Sequence, residues 1–235
     1  MKNVSILLGA FLLIFSWTSI SYAQTSETQL TQKQRLIVPI AALAAQGNME
    51  DLSKALHEGL DGGLTINETK EVLIHVYAYA GFPRSLNGIN NLIAVLKERE
   101  ARGIKDEVGP EASPIPTDRS ILEMGTENQT YILGRPSGGP TYQFSPEIDY
   151  FLKAHLFGDL FERDVIDFKS REVATVAILS SLGRTENQLR GHINCSLNIG
   201  ITESQLRDLI EVLDSKVGST EANTATMVLN SVIGK

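Results

Sequence analysis

One helical pattern occurs twice along this chain of 235 residues, and the repetition restricts the folds open to it more than composition does. Residues 35–65 read RLIVPIAALAAQGNMEDLSKALHEGLDGGLT, and residues 171–202 read REVATVAILSSLGRTENQLRGHINCSLNIGIT. Arg35 falls on Arg171 and Gly47 on Gly183 at an offset of 136. After a one-residue insertion near Gln188, Leu52, Gly63, Thr65 and Gly81 fall on Leu189, Gly200, Thr202 and Gly218 at 137. Self-similarity of this kind implies a duplicated helical unit. Where the second copy carries Glu172 and His192, the first has Leu36 and Ala55, so an acid/base pair at these positions belongs to the second copy alone.

The periodicity of both copies is helical. In the first, Leu30, Leu36, Ile37, Ile40, Ala41 and Ala44 recur at helical spacing up to Gly47, with a kink or break expected at Pro39. A second helix spans 49–60. Thr65 with Glu68 three residues on reads as a capping box opening a third, which runs to Gly81. Pro83 suits the first turn of a fourth, which carries Leu86, Ile89, Leu92, Ile93 and Leu96. In the second copy, Ser145-Pro146-Glu147 reads as a helix start, and further helices are expected near 165–182, 186–199, 202–213 and 219–233. No alternating run is long enough for a strand, so the expected class is all-α. Residues 24–102 form the first unit and 146–235 the second. Residues 103–145 hold five of the eight prolines and read as a connector lying on the other unit or reaching a neighbouring subunit.

Residues 1–23 combine Lys2, an apolar run from Val4 to Phe15, and Ser21-Tyr22-Ala23, the pattern of a secretory signal peptide cut before Gln24. The expectation is an exported protein, periplasmic or secreted, with no stable membrane association after cleavage. Loss of Lys2 would take the formal charge from -7 to -8. Such an acidic balance argues against a nucleic-acid partner. Cys195 is the sole cysteine, which excludes an intramolecular disulfide.

Glu172 and His192 lie 20 positions apart on successive helices, and an antiparallel pair would let them face each other near one end, the geometry of a general acid/base pair. His57, His75 and His155 read as packing or surface residues. The segment 171–202 also resembles the carboxymuconolactone decarboxylase family, whose members share the alkylhydroperoxidase D fold. The match lies in Arg171-Glu172, Gly183, Leu189, His192 and Leu197-Asn198-x-Gly200-x-Thr202. The first unit resembles the family through Gly47, Gly59-Leu-Asp-Gly-Gly-Leu-Thr65, Glu71 and the run from Tyr77 to Asn87.

The resemblance implies two candidate chemistries. Peroxidase-type members use a Cys-x-x-Cys pair ahead of the histidine, but the corresponding positions here are Thr185 and Gln188. A peroxiredoxin-type antioxidant activity would have to rest on Cys195 alone, which reads better as a packed residue. The favoured expectation is cofactor-free lyase or isomerase chemistry on a small carboxylate-bearing lactone or related compound. Glu172 and His192 would be catalytic, Arg171, Arg84 and Tyr79 would bind substrate, and no metal or other cofactor is expected. A homo-oligomer is expected too. A non-catalytic helical binding or assembly module is the remaining reading.

Overall fold

The computed structural model describes residues 28–234, so the signal-peptide reading of 1–23 falls outside the described residues. The first unit comprises α1 (Gln32–Gln46), α2 (Met49–Asp61) and α3 (Ile66–Ala101). The second comprises α7 (Phe168–Leu182), α8 (Glu186–Asn198), α9 (Glu203–Lys216) and α10 (Ser219–Ile233). Ahead of α7 come α4 (Ile121–Leu133) and α5 (Pro140–Phe144) in the connector, then α6 (Pro146–Tyr150) and a π-helix (Phe151–Leu160) within the second unit's range. Among the described residues there is no strand, so the fold is all-α.

The duplication is visible in the backbone. Thr65 and Glu68 form a reciprocal capping box at the start of α3, and Thr202 and Gln205 repeat it 137 residues later at the start of α9. Each box satisfies two of the orphan N–H groups at a helix start. The bond from Leu64 N–H to Gly59 O likewise recurs from Ile201 N–H to Ser196 O. α3 breaks at Gly81, where φ is 76° and ψ 168°, a conformation open to glycine and strained for other residues. The two arms of α3, 66–80 and 82–101, thereby correspond to α9 and α10.

α1 and α7 pack together at the centre. Val38, Ile40, Ala41, Ala42 and Ala44 of α1, and Val173, Ala174, Ala177 and Ile178 of α7, are all without solvent exposure. A helix that is apolar on every side belongs in an interior. One hydrophobic core thus draws on both units. The expected break at Pro39 does not occur: α1 is continuous through it, and Pro39 is buried in the packed centre of the helix. The fourth-helix stripe also departs from expectation. Leu92 is buried, but Leu86 and Ile93 are about half exposed, beside exposed Phe82.

The connector is more structured than its prolines suggest. α4 starts at a Ser120/Glu123 capping box and lies along the π-helix. There is no room for a side chain at Gly125, because a Cβ would meet the backbone at Lys153 and Gly158. Ile132, Leu156, Phe157, Leu160, Phe161, Cys195 and Ile199 make a second, smaller core. Asn198 Nδ2 donates to Tyr131 O and Ile132 O, tying α4 to α8. Upstream, Glu107 O and Val108 O accept from Ile66 N–H and Asn67 N–H at the start of α3.

Candidate active site

Asp167 caps α7 by accepting from Ser170 N–H, which fixes the first turn that carries Arg171 and Glu172. α7 and α8 then run antiparallel, and the turn is pinned where Thr185 Oγ1 donates to Leu179 O. That hairpin brings His192 Nδ1 to 2.9 Å from Glu172 Oε2. Glu172 is fully buried and the His192 side chain is 17% exposed. With the carboxylate ionised, Nδ1 carries the proton and donates, leaving Nε2 free to exchange one. The second carboxylate oxygen, Oε1, is buried without a hydrogen-bond partner.

Two further side chains close on the pair. The Tyr79 ring meets the His192 ring edge-on, with centroids 5.3 Å apart and planes at 84°. Its hydroxyl is buried beside Thr175 but lacks a partner of hydrogen-bond geometry. Burial, reinforced by the charge of Glu172, pushes the Tyr79 phenol well above its ordinary range, so it remains an O–H donor. Cys195 lies one turn beyond His192, and donor atoms of Glu172, His192 and Cys195 all fall within 4.8 Å of one another. Burial pushes the Cys195 thiol up to about 12, with the Glu172 charge acting in the same direction.

The two arginines expected at the substrate stand elsewhere. Arg171 is fully buried, donates from Nη2 to Glu71 Oε1 at 2.8 Å and to Arg163 O, and lies 5.6 Å from the centre of the Phe161 ring. Its Nη2 is taken by the first unit's Glu71 and by Arg163 O, its Nε and Nη1 are buried without a hydrogen-bond partner, and no part of it reaches solvent. As helical phase requires, its neighbour Glu172 turns to a different partner. Arg84 is exposed on the second arm of α3, where its guanidinium covers Gly47 at the end of α1.

Glu71 was not singled out as a site residue from sequence. It also accepts from Arg163, at 3.0 and 2.9 Å. The equivalent ion pair, Arg35 with Asp208, joins α1 to α9. Asp208 lies 137 residues after Glu71, so the duplication itself held the signal. His75 is fully buried and pairs through Nε2 with Thr175 Oγ1 at 2.8 Å. Thr175 donates to Arg171 O, so Nε2 carries the His75 proton and Nδ1 is left without a partner.

A separate cleft of about 510 Å³ opens beside the π-helix, lined mainly by Tyr77, Ile148, Phe151, Leu152, His155 and Leu160. His155 links Tyr77 to Asp159 there, at 3.1 and 2.8 Å.

Comparison with known proteins agrees with this architecture. The chain is 26% identical over 119 residues to a 4-carboxymuconolactone decarboxylase of Acinetobacter baylyi (strain ATCC 33305 / BD413 / ADP1), a match covering 49% of this chain and 88% of that protein. The carboxymuconolactone decarboxylase family profile matches twice, at residues 14–92 and 146–230. With one match in each helical unit, this chain belongs to the carboxymuconolactone decarboxylase family.

Proposed function

We propose that the chain is a decarboxylase-like lyase or isomerase acting on a small carboxylate-bearing lactone or related compound, with His192 and Glu172 as its acid/base pair. The observation that carries this reading is the 2.9 Å contact between His192 Nδ1 and the buried carboxylate of Glu172. In a carboxymuconolactone the departing carboxylate is vinylogous to the lactone carbonyl, so loss of CO2 moves the electron pair into a dienolate. The developing oxyanion needs a hydrogen-bond donor, and the carbon then needs a proton.

Glu172 holds the imidazole in one orientation, with Nδ1–H kept on the carboxylate, so that Nε2 is the nitrogen that hands a proton to carbon. Tyr79, kept neutral by burial, supplies a donor for the oxyanion. Arg171 and Arg84 leave this proposal, the first paired with Glu71 and the second covering Gly47. The test is turnover of 4-carboxymuconolactone and related carboxylated lactones by the purified protein and by His192→Asn and Glu172→Gln.

The antioxidant reading has less support, because the one thiol is buried, is held protonated, and has no second cysteine to resolve a sulfenic acid. Export to the periplasm or beyond remains part of the proposal on the strength of residues 1–23, and mature protein beginning at Gln24 would bear it out. Self-association is proposed from the exposed apolar side chains of Phe82, Leu86 and Ile93 along the second arm of α3. Light scattering on the purified protein tests it.

A further inference from the structure

We propose that Glu172, His192 and Cys195 also form a binding site for one zinc-type divalent cation, and that a metal bound there blocks the acid/base pair. This goes beyond the proposed activity: the metal acts as an inhibitor competing for the same side chains.

His192 and Cys195 are three residues apart on one face of α8, Glu172 faces them from α7, and their donor atoms already lie within 4.8 Å of one another. A tetrahedral zinc ion with bonds of about 2.0–2.3 Å holds its donors about 3.2–3.8 Å apart, so side-chain rotations of about an ångström complete the set. Imidazole, thiolate and carboxylate together suit zinc, whereas magnesium and calcium prefer oxygen alone.

Two further observations point to a ligand. Glu172 Oε1 is fully buried and unpartnered, an arrangement that costs free energy unless something satisfies it. Charge also balances: a carboxylate and a thiolate neutralise a divalent cation, leaving no net charge in a site where Glu172 is fully buried and Cys195 is 6% exposed. Cys195 gives up its thiol proton to solvent when the metal–sulfur bond forms. The partial exposure of His192 leaves a way in and room for a fourth ligand, which water can fill. In the first unit the aligned positions are Leu36, Ala55 and Glu58, so the site exists once per chain.

The experiment uses chelator-stripped, full-length protein titrated with Zn2+ against a colorimetric chelator. One ion per chain with submicromolar affinity is expected, and Cys195→Ser and His192→Asn should each weaken it by at least about 100-fold. Co2+ should give a thiolate-to-metal absorption band in the near ultraviolet that Cys195→Ser lacks. Far-UV circular dichroism checks that the variants fold, and Cys195→Ala serves as the second variant if serine disturbs the core. Absence of stoichiometric binding in the wild type, or wild-type affinity in both ligand variants, overturns the proposal. Binding is read without turnover, so chelated wild type that fails to act on the lactones would sink the proposed function and leave this site standing.

Discussion

Arg171 and Glu71 form a fully buried ion pair that ties the start of α7 to the first arm of α3, at 2.8 Å and across 100 residues of sequence. Arg35 and Asp208 make the equivalent bond from α1 to α9, so each unit's first helix is clasped by an acid from the other unit. The register continues from Glu71 and Arg171 to His75 and Thr175, again 100 apart, so the first arm of α3 runs parallel to α7. This arrangement sets Tyr79 against His192.

Breaking one half of the clasp should therefore cost more than breaking the other. Glu71→Gln leaves Arg171 charged and buried, and removal of one member of a buried pair costs about 3–5 kcal/mol. Arg35 is 40% exposed, and Asp208, though buried, keeps the bond from Leu30 N–H, so Arg35→Ala should cost less, about 1–2 kcal/mol. Urea unfolding of both variants measures the difference, and equal losses would contradict the buried role of Arg171.

The contact between α4 and the π-helix depends on a missing side chain. A methyl at Gly125 would collide with the backbone at Lys153 and Gly158. Gly125→Ala should lower stability by about 1–3 kcal/mol, as overpacking commonly does. Hydrogen exchange should show protection lost first in α4, and an unchanged exchange pattern would remove the connector helix from the folded core.

His75 should make stability depend on pH. Burial first, then the charges of Arg171 and His192, hold its pKa well below the ordinary value, while Tyr79, Thr175 and Phe161 complete its surroundings. The unfolded chain takes up a proton at His75 below about pH 6.5 and the folded chain does not, so stability is full above that pH and falls as the pH drops beneath it. Denaturant midpoints at pH 8 and pH 5 should differ more for the wild type than for His75→Gln. Identical differences would mean that His75 does not contribute.

Cys195 should be chemically quiet in the folded protein. It is 6% exposed and its thiol is pushed up to about 12, so an aromatic disulfide reagent at neutral pH should label it only as fast as the chain opens. Rapid labelling of folded protein, or reduction of cumene hydroperoxide that disappears in Cys195→Ala, would favour the antioxidant reading.

Local signals made much of this architecture legible. The capping boxes at Thr65 and Thr202, the break at Gly81 and the apolar spacing of α1 and α7 are written within a few residues of where they act. The approach of Glu172 to His192 follows from an antiparallel hairpin whose two helices and turn are likewise visible. What stayed hidden depends on distant partners. Arg171 looked available for a substrate because Glu71, which buries it, is 100 residues away. α4 was hidden because prolines precede it and its apolar side chains gain cover only from the π-helix. Ser145 occupies a cap position but makes no capping bond, and the helix it opens passes after five residues into π geometry. Pro39 is tolerated inside α1 because packing on every side of that helix outweighs one lost backbone bond.

The central claim is that Glu172 and His192 act as one acid/base unit. The most direct measurement is the rate of lactone decarboxylation, followed by release of CO2, for wild type, Glu172→Gln, His192→Asn and the double variant, all checked for native helicity. Each single change should lower kcat by about 10²–10⁴-fold, and the double variant should be little worse than the more damaging single. Turnover that survives both substitutions, or losses that simply multiply, would contradict the claim.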